Sequence, residues 1–476
     1  MQQDIFEGLA ANPALPERLL ERLAAIGDEY VRAVLARRDD LTESPARTLL
    51  THADADIHTL IALGKVPWTD VPRHDPTLLL AAAQAGIVPD AVLRDLATHP
   101  DPEIRGELAF YVTDLPHHIL AVLARDPDPD VVERVAGVPE LPADLAEEIA
   151  RHPHVVVRVS LAENDRVPPA LLAALVADGG HPPPTRCASC HRRTEGCGDH
   201  TPGVRRIRLA AAANPAVPPG GIEAFLGPEE TWAPAEIAER TDLPAPFHHR
   251  LAVHPAAFVR TTLARNPSIG EALILKLAAD PDPDVGLAVA ENPAVPLSLV
   301  VALAGRRRLP RGPLPRILAA NDAELYELAM SRVAQVRALA ASRPDLPAPL
   351  VDLLAADPDI GVARRIAPHP ELTGHQLTAM TDRHGPPVYG AVAQNPGCPA
   401  ELLRRMAQDC TSVAKALRPI AAHPALPPDV VERLLDAPDQ RVVHAAAAHP
   451  ALPIRTMERL LAVAAICAGD GRELRG

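Results

Sequence analysis

Cys187, Cys190, Cys197 and His200 stand in the order Cys-x2-Cys-x6-Cys-x2-His within the stretch GGHPPPTRCASCHRRTEGCGDHTPG. Two ligand pairs, each separated by two residues, give the spacing of a four-coordinate metal site. A Cys-x-x-Cys turn sends both sulfurs to one side, and a second knuckle completes the shell. Gly196 and Gly198 flank Cys197 and permit a tight turn. Arg186, Arg192 and Arg193 supply positive charge against three thiolates. The stretch is too short and polar to fold by burial, so a bound ion would supply its folding free energy. Closed Cys/His sites of this kind take structural zinc. An iron–sulfur cluster is the alternative occupant, although it usually takes four cysteines. Here the fourth position is His200 or His191, and Cys398, Cys410 and Cys467 lie far along the chain. A metal-free disordered or redox-active loop is a third reading. A catalytic zinc would need an open position and a base, for which Glu195 and Asp199 are at hand.

What must position these residues is a repeat. Pro142 and Pro168 are 26 residues apart, and the same step separates Pro218 from Pro244, Gly270 from Pro296, Pro347 from Thr373 and Thr373 from Pro399, and Pro427 from Pro453. A fixed period of this size marks a solenoid, in which each repeat packs only on its neighbours. Asp280 to Ala304 shows one copy. Acids at Asp280, Asp282 and Asp284 cap a short helix over 285–290. Asn292-Pro293 ends it, because a residue before proline is driven out of the helical region. Pro296 opens a second helix over 297–304. The Leu/Val-Pro marker recurs in about seventeen copies. From Val167 to Val217 the markers stand 50 apart instead of 26, so the cysteine stretch is an insertion of 24 residues. The spacing is loosest between Leu41 and Leu115 and between Val295 and Leu346. The expected organisation is degenerate repeats over 1–110, regular repeats over 111–178, the Cys/His-rich insert over 179–203, regular repeats over 204–452, and a terminal capping helix with a polar tail over 453–476.

At 476 residues the chain exceeds the usual limit of one hydrophobic core, which a repeat array avoids by growing in one dimension. Hydrophobic residues make up 47% of it but aromatics only 2%, so the core must be built from Leu, Ala and Val. The formal net charge of −14 weighs against general nucleic-acid binding. The amino terminus lacks the basic-then-apolar pattern of a signal peptide, and no apolar run reaches the roughly 18 residues of a membrane span. A reducing, cytoplasmic setting is expected from the six cysteines, too few for a disulfide scaffold.

The pattern HPxxxVRxxLAxNPxxPxxLLxxLA, in its best copies from His152 to Ala174 and from His254 to Ala278, resembles the leucine-rich repeat variant family. The resemblance is strongest from Pro100 to Cys467. It implies an all-α, right-handed α-solenoid in which α-helices alternate with short 3₁₀ helices. Some members carry a cysteine-rich segment holding an iron–sulfur cluster. The repeat itself implies no enzymatic activity.

Arg32, Arg158, Arg208, Arg260 and Arg337 each fall nine residues before a marker, with Arg105 and Arg364 one residue off that register. An exposed row of these could bind phosphates or an acidic partner. Alternatively each arginine pairs with an acid or a turn carbonyl of the neighbouring repeat, and the acid-rich composition favours that reading. The Asp126–Asp130 and Asp280–Asp284 turns lack calcium-loop spacing and read as helix caps. Asn12, Asn214, Asn266, Asn292 and Asn395 read as turn-formers. The pairs His117-His118 and His248-His249 read as surface residues, and Cys398, Cys410 and Cys467 as packing residues. The expectation that results is a non-catalytic scaffold for a protein partner, with a structural metal insert. Its alternatives are a nucleic-acid-binding repeat protein using the arginine row and an iron–sulfur redox or sensing protein.

Overall fold

The computed structural model describes residues 2–52, 56–188, 190, 199–227, 232–306, 309, 312–410 and 414–462. Their regular secondary structure is helical, and the single β-bridge among them, between His154 and Arg186, is isolated. Short helices alternate in two layers; in one layer most helices pack on the one two steps along the chain, and most helices also pack on an immediate neighbour. Both layers are α-helical. Among the described residues 3₁₀ helix is confined to Trp68–Asp70, Pro219–Gly221, Glu223–Phe225 and Val289–Glu291, so an alternation of α and 3₁₀ layers is not what this chain adopts.

Prolines start the helices of one layer, as expected, from the residue just before the first turn. Pro16, Pro116, Pro142, Pro168, Pro244, Pro296, Pro347 and Pro427 occupy the N-cap, with φ between −53° and −62° and extended ψ. The ring fixes φ, and its missing N–H is not needed there. Several helices of the other layer open on aspartate. Asp128, Asp282 and Asp359 accept from the backbone N–H two residues on, at 2.8–3.0 Å. The aspartate two residues earlier does the same, so each Asp-x-Asp turn is a pair of fused side-chain turns. The helix that follows the insertion spans Thr201–Ala213, so it begins within the last residues assigned to the insert, 179–203.

The chain divides into two compact units. Pro72–Leu309 with Leu314–Ala319 forms one, and its stack follows chain order. The other comprises Met1–Val71, Pro310–Pro313 and Ala320–Gly476, and its stack is permuted. Helices Ala334–Ala340, Ile360–Ile366, Pro386–Val392, Ala414–Ala421 and Gln440–Ala447 succeed one another, and the next in line is Gln2–Ala11, followed by Glu29–Ala36. The first helix of the chain thus sits where a repeat after the last would sit. Gly8 makes the approach possible, since a Cβ there would lie 2.5 Å from the His444 carbonyl oxygen.

A buried polar position joins successive repeats. The Nδ2 of Asn292, which is fully buried, donates to the carbonyls of Ala264 at 2.9 Å and Asn266 at 2.7 Å, 28 and 26 residues back. Asn164, Asn266 and Asn395 repeat the same pair of bonds at the same separations. Asn214 does so at 52 and 50 residues, both longer by the 24 residues of the insertion. Asn12 donates to Ala447 and His449 at 2.9 and 2.8 Å, which closes the permuted stack with the same device. Arg38 and Arg240 substitute for asparagine: one Nη1 reaches both carbonyls while Asp40 or Asp242 binds the rest of the guanidinium. His423 and His449 substitute with one bond each.

Candidate metal centre

The insertion is held at its root before any ligand is reached. The helix Pro169–Asp178 ends on Gly179 at φ +80°, and Gly180 follows at +87°. A side chain at Gly180 would also meet Leu175 Cδ2 at 3.0 Å and Arg158 Nη1 at 3.2 Å. Arg158, 0% exposed, points from the Val155–Glu163 helix into this turn. Its guanidinium donates to the carbonyls of His152, Gly179, Gly180 and Pro182 at 2.6–3.1 Å. Burial among neutral acceptors brings its pKa down to about 10, so it stays charged at neutral pH. The next stretch is tied to the turn ahead of the same helix. The N–H groups of Thr185 and Arg186 donate to the Pro153 carbonyl, and Val155 N–H donates to the Arg186 carbonyl at 2.9 Å.

From that anchor the chain forms a knuckle. Cys190 N–H donates to the Cys187 carbonyl at 3.0 Å, and Cys187 N–H donates to Cys190 Sγ at 3.2 Å. The two Sγ atoms lie 3.7 Å apart, and His200 Nε2 lies 3.5 Å from Cys190 Sγ. Cys190 is fully buried, while Cys187 and His200 are half-buried. All three donor atoms fall within 4.8 Å of one another, so they can hold a metal ion. His200 is placed by the helix Thr201–Ala213, whose fourth residue donates to the His200 carbonyl. Gly203 lets that helix close on the Val155–Glu163 helix, because a Cβ there would lie 2.5 Å from Val155 Cγ2. Asp199 accepts from Thr201 N–H at 2.9 Å, and that bond holds its carboxyl below the usual range, a poor condition for a general base. Cys197, His191, Glu195, Arg192, Arg193, Gly196 and Gly198 lie outside the described residues.

The five arginines in register do not form an exposed row. Arg32 is buried and donates to Ala24 and Ala25 carbonyls. Arg158 anchors the insertion. Arg208 donates to the Val176 carbonyl and stacks over Phe225 at 5.3 Å. Arg260 and Arg337 each grip an aspartate of the next acidic turn with two bonds, Asp280 at 2.8 and 2.9 Å and Asp357 at 2.6 and 2.9 Å. Arg105 grips Asp126 in the same way, and Arg364 donates to the Pro387 carbonyl.

Cys398 and Cys410 are buried, and burial pushes the Cys398 thiol up to about 12; Cys467 lies outside the described residues. His117 and His118 are exposed beside Asp144 and Asp90. His248 is not a surface residue: it is 3% exposed, and burial lowers its pKa. The residues that sequence reasoning undervalued are the buried asparagines. Their signal was present in the 26-residue step from Asn266 to Asn292, but the turn-forming role they also play was a sufficient explanation of it.

No protein-family model matches the chain, and no curated protein does. Among solved structures, two engineered proteins of the Northeast Structural Genomics Consortium align with it. One is 17% identical over 91% of this chain and 97% of its own, with a TM-score of 0.14. The other is 16% identical over 77% and 96%, with a TM-score of 0.09. Superposition this poor bears on neither fold nor function. No helix among the described residues is long and apolar enough to cross a membrane.

Proposed function

We propose that the chain is a non-catalytic scaffold, a right-handed solenoid of about seventeen repeats whose sequence pattern resembles the leucine-rich repeat variant family although both of its layers are α-helical. Its stacked helices offer an extended surface to a protein partner. Its insertion holds one structural zinc ion through Cys187, Cys190 and His200, with Cys197 as the fourth ligand. The observation that carries the zinc assignment is the spacing of donor atoms. With Zn–S near 2.3 Å and Zn–N of about 2.05 Å, tetrahedral angles put two sulfurs about 3.8 Å apart and a sulfur and a nitrogen about 3.6 Å apart. The separations here are 3.7 and 3.5 Å. In a four-iron cluster each thiolate binds its own iron, so two thiolates this close fit one ion better. The ion would hold the insertion closed as a rigid protrusion from the repeat surface.

Elemental analysis of protein purified without added metal tests the centre. About one zinc per chain, lost in Cys187→Ser, is expected; iron with acid-labile sulfide, and visible colour lost in the same variant, would establish the redox or sensing alternative instead. The nucleic-acid alternative predicts binding that weakens steeply with salt. The inward placement of the arginines and the net charge of −14 both favour an absence of such binding.

A further inference from the structure

The permuted unit contains a cleft of about 790 Å³ between its first helix, Gln2–Ala11, and the helices Ala414–Ala421 and Gln440–Ala447. Its charged lining follows the repeat register. Lys415 and Arg418 precede the joining residue His423 by eight and five residues, and Arg441 and His444 precede His449 by the same steps. Asp4 and Glu7 precede Asn12 likewise. Two parallel rows therefore cross the cleft, each basic or imidazole-bearing on two helices and acidic on the third.

Lys415, Arg418 and Arg441 are exposed, and none of them forms an ion pair with a described carboxylate. What distinguishes them from other exposed arginines of the chain is that they line one concavity together. Lys415, Arg418 and Arg441 outnumber the two carboxylates of the lining, Asp4 and Glu7, so the concavity carries a small positive excess in a chain of net charge −14. Concavities of roughly 300–1,000 Å³ suit metabolite-sized ligands. Two guanidinium groups offer paired donors that match planar or tetrahedral oxyanions, and the lysine adds a mobile point charge.

We propose that this cleft binds a small multiply charged anion, with two or more acidic oxygens, held by Lys415, Arg418 and Arg441. Phosphate esters and polycarboxylates share that chemistry, and the two probes below separate them. Isothermal titration of the full chain at low salt with pyrophosphate and, separately, with citrate tests the proposal. One equivalent should bind with millimolar or tighter affinity. The double variant Lys415→Gln/Arg418→Gln should weaken binding at least about tenfold, while Lys276→Gln on the other unit leaves it unchanged. Neither cation of the pair supports the core, and an unchanged circular dichroism spectrum certifies the fold. Pyrophosphate binding alone identifies a phosphate site, and citrate binding alone a carboxylate site. Absence of saturable binding by both probes up to about 10 mM, or equal weakening by Lys276→Gln, overturns the assignment.

Discussion

Replacing Asn292 by alanine tests whether the buried asparagine is what couples one repeat to the next. The side chain makes three bonds: two from Nδ2 to the Ala264 and Asn266 carbonyls, and one accepted by Oδ1 from Ala294 N–H at 2.8 Å. At about 1 kcal/mol net per bond, its loss costs about 3 kcal/mol locally. In an array where each repeat leans on its neighbours, that cost appears first as easier local opening. Hydrogen exchange by mass spectrometry is therefore the assay. Amides of 259–266 and 285–300 should exchange roughly a hundredfold faster, since 1.4 kcal/mol is tenfold. Amides of 117–136 should be unchanged. Asn292→Asp sharpens the test by aiming a carboxylate at two carbonyl oxygens. Its folded pKa must rise above the ordinary value, so that variant loses stability as pH rises from about 4 toward 7. Exchange within threefold of the wild type for Asn292→Ala would refute the coupling argument, because water or the turn alone would then satisfy those carbonyls.

Arg260 hydrogen-bonds Asp280 and holds its carboxyl below the ordinary range. The pair's contribution is thus complete above the unfolded pKa of about 3.9 and is lost as pH falls through the folded value; acid unfolding of Asp280→Asn should lack that component. Burial first, then the charges of His154 and Arg158, bring His152 down to about 4 from 6.5. The unfolded chain binds the extra proton between those values, so this group favours folding fully above pH 6.5 and progressively less down to 4; an imidazole NMR titration of His152 with a midpoint near 6.5 would contradict the burial argument. Gly203→Ala forces a Cβ onto Val155 and should cost about 1–3 kcal/mol despite alanine's better helix propensity. It should also weaken cobalt or zinc binding by displacing His200, and Val155→Ala should restore both in the double variant; a single variant as stable as the wild type would remove the close approach from the account.

The repeat was legible because its grammar is local. Proline fixes its own φ, aspartate bonds its own turn, and the helix pieces over 285–290 and 297–304 emerge within a residue or two of Pro283–Ala288 and Leu297–Ala304. The knuckle of Cys187 and Cys190 was legible for the same reason, as a three-residue event. What escaped was contact between repeats. Arg158 and Arg260 occupy one register position, yet one binds carbonyls of an insertion and the other an aspartate, a choice set by what the next repeat presents. His248 looks polar in sequence and is buried by neighbours the sequence does not place beside it. The permutation that brings Gly8 against His444 has no local signature, since it depends on the accumulated geometry of every intervening repeat.

The bonds from Asn12 to Ala447 and His449 span 435 and 437 residues. On a ribosome adding about 5–20 residues per second, the first helix emerges roughly 20–90 s before its partner exists. For that interval Glu29–Ala36 can pack on one side of it, while the side on which Gly8 meets His444 has no partner yet. The unit of Pro72–Leu309, stacked in chain order, has no such wait and can build vectorially. Synthesis therefore divides this molecule into a part that assembles as it is made and a part that must be finished before it can begin to close.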